Sequence, residues 1–372
     1  MLDKKIRTIR RSTPQNLDSD EPRATCRFVP RNLNFSSRSK IAVIGVGGRT
    51  GTMFAFELRN SANILAVGRQ KEVELVNKRK LFVEKKEKLI QIFEEEVIED
   101  TNFKSKLEPD IIFLTTKNPI SSPLEYYFKK CKKKIPTLII SQNGIAAISD
   151  AKKTLKKIFG NESEKIRIVR VVLFNPIEEI ELENKYHIKY SLPIRIAISR
   201  AGGEDLRPGS EQEDIEDIIE IFEKSGFELK EFPLKDAENL EFSKLFLNLI
   251  GMAAASRKFS VVDGFKNKEI FKEEVTALKE YIRAVESFGG EFLNFPHYPV
   301  KLFTDLLNLS PLFLLSVFRT VIGKIISRGR GGKLKDLNEI DYYNGAVIKL
   351  GKKTGVKTPV NERIYKRALK IK

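Results

Sequence analysis

The sequence predicts an α/β protein, an N-terminal Rossmann-type parallel-sheet domain followed by an all-helical C-terminal domain. Three observations carry this. Short β-branched runs alternate with helical stretches from Lys40 to about residue 233; a glycine-rich turn joins the first run to the first helix; and after Pro233 almost everything reads as long helix. Alternation of that kind is the mark of a doubly wound parallel sheet. A chain of 372 residues suits two domains of ordinary size.

Residues 1–39 hold no periodic apolar pattern and are expected to form a disordered basic extension. Residues 1–40 carry 10 Lys/Arg against 4 Asp/Glu, an excess of six within the formal net charge of +17. No apolar stretch follows the basic start as it would in a secretory signal, and Asp3, Asp18, Asp20 and Glu21 argue against a transit peptide. The dinucleotide-binding domain is placed at 40–233. Its strand candidates are 41–44, 64–67, 111–115, 137–140, 166–174, 194–198 and 227–232, with helices over 71–76, 85–93, 124–130, 146–159 and 211–224. The helical domain is placed at 234–372, with helices over 237–258, 271–288, 300–309, 312–326 and 337–353. Pro296, Pro299 and Pro311 fall between them.

Composition excludes several function classes. The longest uncharged runs, 135–149 and 306–318, fall short of the roughly 20 apolar residues of a membrane span and contain Pro136 and Pro311. Cys26 and Cys131 cannot build a disulfide framework, so a reducing compartment, the cytoplasm, is expected. His187 and His297 have no partners at metal-ligand spacing, so no metal is expected and an acid–base group would be Lys, Asp or Glu. The positive charge reads first as a Lys-rich surface, with anionic ligands or non-specific nucleic-acid attraction as the sharper alternatives.

The motifs that carry chemistry begin at Gly45-Val46-Gly47-Gly48-Arg49-Thr50-Gly51, between a strand and a helix. Glycines let backbone N–H groups approach a pyrophosphate, and the helix N-terminus adds partial positive charge. Spacing from Gly45 and Gly47 puts Thr50 in the third glycine place; one inserted residue brings Gly51 there. At the end of the second strand stands Gly68-Arg69-Gln70-Lys71, with Arg69 where an NAD site has a carboxylate. Arg meets a 2′-phosphate bidentately, so NADPH is favoured over NADH.

Later strand ends carry Thr116-Lys117-Asn118 and Gln142-Asn143-Gly144, on the edge where such sheets bind ligand. A solvated loop lysine and an ordinary turn are equally good readings of these two. In the helical domain Lys244 and Asn248 share one face of an apolar helix, i and i+4. A desolvated Lys has the lowered pKa that suits a general acid, whereas a snorkelling Lys needs no function. Glu339 and Asp341, expected on different faces of one helix, offer a carboxylate, and the pattern does not choose between them.

Taken in order, 41–58, Gly68-Arg69, Thr116-Lys117, Gln142-Asn143-Gly144, Phe174-Asn175, 244–248, Ser327, 339–345 and 355–361 resemble the ketopantoate reductase family, which reduces 2-dehydropantoate to pantoate with NADPH. The resemblance implies roles for particular residues. Lys244 would protonate the ketone oxygen and Glu339 would hold the substrate hydroxyl. Asn143 would stand at the junction of nicotinamide and substrate, with Lys117 on the cofactor side. Asn248 would bind substrate, and Ser327 would meet its carboxylate. Met252 stands where the family has another asparagine, and 328–332 is unusually basic and glycine-rich. These departures leave open a different 2-oxo acid or an imine as substrate, or a dinucleotide-binding regulator without catalysis. No specific nucleic-acid or membrane partner is expected. Residues 312–326 suit core better than a subunit contact, and a homodimer remains open.

Overall fold

The β-branched runs become strands and the glycine turn sits between the first strand and first helix of the computed structural model. It describes residues 39–79, 81–92, 97–103, 108–131, 134–182, 185–203, 215–327 and 334–371. The expected extension, 1–39, lies outside them save for Ser39. The strands are β1 (Lys40–Ile44), β2 (Asn63–Gly68), β3 (Leu81–Lys85), β4 (Lys88–Gln91), β5 (Val97–Glu99), β6 (Ile111–Leu114), β7 (Thr137–Ile140), β8 (Ile168–Leu173), β9 (Ile177–Leu182), β10 (Lys185–Tyr190), β11 (Ile194–Gly202) and β12 (Phe227–Phe232). The sheet region also holds helices α1 (Arg49–Leu58), α2 (Gln70–Arg79), α3 (Ser121–Phe128), α4 (Ala147–Phe159) and α5 (Glu216–Lys224).

The main sheet has eight strands in the order β12-β11-β8-β7-β6-β1-β2-β5. Successive β1 side chains point to opposite faces, and both faces are covered: Ile41 and Val43 enter one apolar cluster, Ala42 and Ile44 another. Strand β1 pairs in parallel with both β2 and β6, so chain order reverses there and a crevice opens beyond its carboxyl end. The sheet is not wholly parallel. Strand β11 runs antiparallel to β8, and β12 follows it in parallel.

A second sheet, β4-β3-β10-β9, was not expected. Residues 85–93 read as helix because Lys and Glu are good helix formers, but they lie largely in a hairpin. Its turn, Lys86-Glu87, takes φ of 48° and 63°, the left-handed pair that suits the twist of a hairpin. The buried Glu57 of α1 accepts from Lys85 Nζ at 2.5 Å and Tyr190 Oη at 2.6 Å, tying this sheet to the Rossmann core.

The chain then turns helical: α6 (Ala237–Leu249), α7 (Met252–Ala255), α8 (Val261–Lys266), α9 (Lys268–Phe288), α10 (Val300–Leu309), α11 (Leu312–Val317), α12 (Arg319–Ser327), α13 (Asn344–Thr354) and α14 (Pro359–Leu369). Two expected helices are broken. The one over 237–258 stops after Leu249, because Gly251 takes φ +93° and a Cβ there would lie 2.5 Å from Val261. The one over 312–326 divides at Phe318. Its outer face, Phe313, Val317 and Val321 included, is exposed rather than core. The helix expected over 337–353 begins only at Asn344, after a 3₁₀ turn.

Candidate active site

The glycine turn supplies a cradle. Gly45 N–H and Val46 N–H both donate to Val67 O, at 2.9 and 3.1 Å, drawing the loop over the end of β2. Gly51, not Thr50, takes the third glycine's part. A Cβ on it would stand 2.3 Å from Gly45 O and 2.6 Å from Thr115 Oγ1, so only glycine lets α1 start this close to the strand ends. Thr50 lies inside the first turn of α1. Gly48 is the N-cap and has no side chain to cap this end, while the Gly47 N–H just before it donates to Thr52 Oγ1 at 3.2 Å. The first-turn N–H groups therefore face the crevice as donors for a phosphate. A dinucleotide pyrophosphate fits this cradle. The Arg49 side chain turns away to Glu179 of β9, 3.3 Å from it, leaving its backbone to the cradle.

Arg69 stands at the end of β2, 73% exposed, as the reading for a 2′-phosphate requires. It is already engaged. Its Nε and a terminal nitrogen donate to Glu72 Oε1 at 3.1 and 2.7 Å, and its backbone N–H donates to Glu72 Oε2. Glu72, at the start of α2, is a residue sequence reasoning passed over. A glutamate three places after the residue that opens a helix is a capping signal that could have found it. Lys117 is exposed at the end of β6.

The remaining candidates come together from three distant segments. Asn248 Nδ2 donates to Asn143 Oδ1 at 3.2 Å, and Asn143 Nδ2 donates to Glu339 Oε2, also at 3.2 Å. Tyr343 Oη donates to the same Glu339 oxygen at 2.7 Å. Asp341 is taken by Tyr365 Oη at 2.5 Å, so the carboxylate beside Asn143 is that of Glu339. Asn118 Nδ2 holds Asn143 O at 2.7 Å, fixing the loop from below. Lys244 lies one turn before Asn248 and is half-buried, its Nζ donating to Leu173 O at 2.7 Å and standing 5.2 Å from the Phe174 ring centroid. Ser327 ends α12; its side chain and residues 328–333 lie outside the described residues. Met252 is buried in the helical core at the start of α7, displaced by the break at Gly251.

Beside this cluster Glu274 of α9 accepts from Gly251 N at 2.7 Å and Ala253 N at 2.9 Å. Burial pushes its carboxyl up to about 7, against those donors and Lys335. Lys335 Nζ donates to the carbonyls of Asn248 and Ile250, at the C-terminal end of α6. Neither residue has a signal in the sequence.

The family Ketopantoate reductase PanE/ApbA matches residues 41–193, and its C-terminal counterpart matches 335–371, together about half of the chain. The chain belongs to the ketopantoate reductase family. The ketopantoate reductase fold is shared with solved structures at low identity. D-mandelate dehydrogenase with NADH and anilino(oxo)acetate is 16% identical over 89% of this chain and 97% of that one, with TM-score 0.65. The 2-dehydropantoate 2-reductase from Geobacter metallireducens is 18% identical over 90% and 100%, with TM-score 0.61. A dimeric ketopantoate reductase from Staphylococcus aureus is 16% identical over 89% and 98%, with TM-score 0.57. No curated protein sequence matches. Among the described residues no helix is long and apolar enough to cross a membrane.

Proposed function

We propose that this chain is an NADPH-dependent reductase of a 2-oxo acid, with 2-dehydropantoate, giving pantoate, as the substrate the family resemblance indicates. The observation that carries the reading is the joining of Asn143, Asn248 and Glu339 by two 3.2 Å hydrogen bonds, one helical turn from Lys244. They meet near the carboxyl edge of the sheet, where the glycine cradle also opens.

Gly45, Gly47 and Gly48, whose N–H groups are bound within the chain, would shape the cradle. The first-turn N–H groups, those of Thr50 and Gly51 among them, would hold the pyrophosphate, and Arg69 with Lys71 would face the 2′-phosphate. When bound, the nicotinamide supplies hydride to the ketone carbon. Lys244 leaves Leu173 O and gives its proton to the ketone oxygen, and its charge offsets the negative charge that builds there. Glu339, kept in place by Tyr343, accepts a hydrogen bond from a substrate hydroxyl. Asn248 and Asn143 orient the acid, and the family resemblance assigns its carboxylate to Ser327. Lys117 assists on the cofactor side.

The cytoplasm and a homodimer complete the proposal. Support for the dimer is a dimeric relative together with the exposed apolar face of α10 and α11, where Leu309 is 83% and Phe313 73% exposed. The test of the catalytic reading is Lys244→Ala. Its kcat should fall roughly 100-fold or more while NADPH still binds. Unchanged turnover would remove Lys244 from the mechanism.

A further inference from the structure

Lys244 and Asn248 form one wall of a cavity of about 580 Å³ that runs from the candidate site into the helical domain. Its far walls come from α8, α9 and α10, with Phe265, Phe271, Val275, Leu278, Phe303 and Leu306 among them. Phe265 and Phe271 pack edge to face at 5.2 Å, as in a core, yet the space in front of them is open. Other polar residues that reach the wall are held within the chain. Glu274 is bound to Gly251 and Ala253, Lys335 to two carbonyls of the α6 end, Asn175 to Ser191 O, Pro193 O and the Arg195 N–H, and His297 Nε2 lies 3.4 Å from Glu228 Oε1.

We infer that this cavity is the subsite for the substrate's side chain, and that the preferred substrate is a 2-oxo acid whose side chain is wholly apolar, aromatic or branched aliphatic. The inference rests on the reading of the site as a 2-oxo acid reductase. With the oxo-acid head at Lys244 and Asn248, the cavity leads onward past α6 between mostly apolar walls. In this cavity, which Glu339 does not line, the hydroxyl of 2-dehydropantoate would be set against carbon. A wholly apolar chain, an aromatic ring above all, enters it without desolvating a polar group and leaves water behind. A cavity of this size is in the range that holds small-molecule ligands.

The experiment compares kcat/KM for phenylpyruvate, 4-methyl-2-oxopentanoate, 2-dehydropantoate and pyruvate with saturating NADPH, on the full chain. The two apolar acids should exceed 2-dehydropantoate and pyruvate by roughly 10-fold or more. Two variants narrow the cavity, Val275→Phe at its floor and, in case that buried site disturbs folding, Leu306→Trp at its half-open mouth. Either should lower the ratio of kcat/KM for phenylpyruvate to that for pyruvate by roughly 10-fold. Turnover that favours 2-dehydropantoate or pyruvate, or a ratio unmoved in both variants, overturns the inference and leaves the reductase reading standing. No turnover of any 2-oxo acid overturns that reading, and the inference with it.

Discussion

Arg170 and Glu241 form an ion pair in the interior, Nε to Oε1 at 3.1 Å, with side chains 1% and 3% exposed. Arg170 lies on β8 and Glu241 on α6, three residues before Lys244. The remaining Arg170 nitrogens donate to Ile140 O, Val171 O and Gln142 O. Glu241 accepts from the N–H groups of Ala146 and Ile148 at 2.9 and 3.3 Å. The pair therefore clamps both ends of the 142–148 turn, which carries Asn143, to the helix that carries Lys244 and Asn248. Burial pushes the Glu241 carboxyl up and the Arg170 guanidinium down, and each partner opposes the shift of the other.

Glu241→Ala would leave Arg170 buried without its counter-charge, which costs about 3–5 kcal/mol. The urea midpoint should fall accordingly. Glu241→Gln keeps the shape and one of the two acceptor oxygens, so it should cost less stability than Glu241→Ala while lowering kcat more than it raises KM, because Asn143 and Lys244 lose much of their common anchor. A Glu241→Ala midpoint equal to that of the parent would show that the clamp is dispensable.

Glu72 sets a second expectation. Its carboxylate occupies the guanidinium that would meet a 2′-phosphate and adds negative charge beside it. An exposed pair of this kind is worth about 1 kcal/mol at most. Glu72→Gln keeps an oxygen to accept from Arg69 N–H while removing the charge, so the preference for NADPH over NADH in kcat/KM should rise by about fivefold, the same free energy expressed as a ratio. Arg69→Ala should reduce that preference. If neither variant moves it, the 2′-phosphate is read elsewhere.

Gly51→Ala tests the cradle. Its added carbon would collide with Gly45 O and Thr115 Oγ1, at 2.3 and 2.6 Å; the threonine hydroxyl can rotate only by giving up its bond to Ile44 O, and the backbone oxygen cannot yield without moving the end of β1. Overpacking of this sort costs about 1–3 kcal/mol. The variant should lose that much stability in urea and show a raised KM for NADPH. Thr50→Ala, at the position a plain reading of the motif spacing selects, should do neither.

The parts legible in the sequence are those whose cause is local. The β-branched run 41–44 and the glycines after it gave the first strand, turn and helix, and Lys244 with Asn248 kept their i, i+4 relation because α6 is regular to Leu249. What was missed depends on partners far away in sequence. Residues 85–93 have helix-forming composition, but β4 among them pairs with β3, which in turn pairs in parallel with β10 more than a hundred residues on, and that pairing outweighs propensity. An apolar–polar alternation around 177–190 was the available sign of the second sheet. The choice of Glu339 over Asp341 rests on Tyr343, Tyr365 and Asn143. Arg170 and Glu241 are 71 residues apart and show no pattern at all.

The last expectation concerns acid. Glu273 of α9 is 6% exposed at its side chain and meets Arg257, Arg363 and Arg367, binding α14 and the turn after α7 to α9. Burial alone would raise its carboxyl, but hydrogen bonds and charge from Arg367 and Arg257 win, and it is lowered to about 2 from an ordinary value of 4.5. The folded chain thus binds fewer protons here than the unfolded chain between those values. Its contribution is complete above the unfolded value and is lost as pH falls from about 5 toward 2. A depression of that size corresponds to roughly 3 kcal/mol. Glu273→Gln should therefore be less stable than the parent at neutral pH, and the difference should shrink on acidification until the two unfold alike near pH ~2. Urea titrations at a series of pH values read this directly. A gap that stays constant from neutral pH down to acid would mean that Glu273 acts through shape and not through charge.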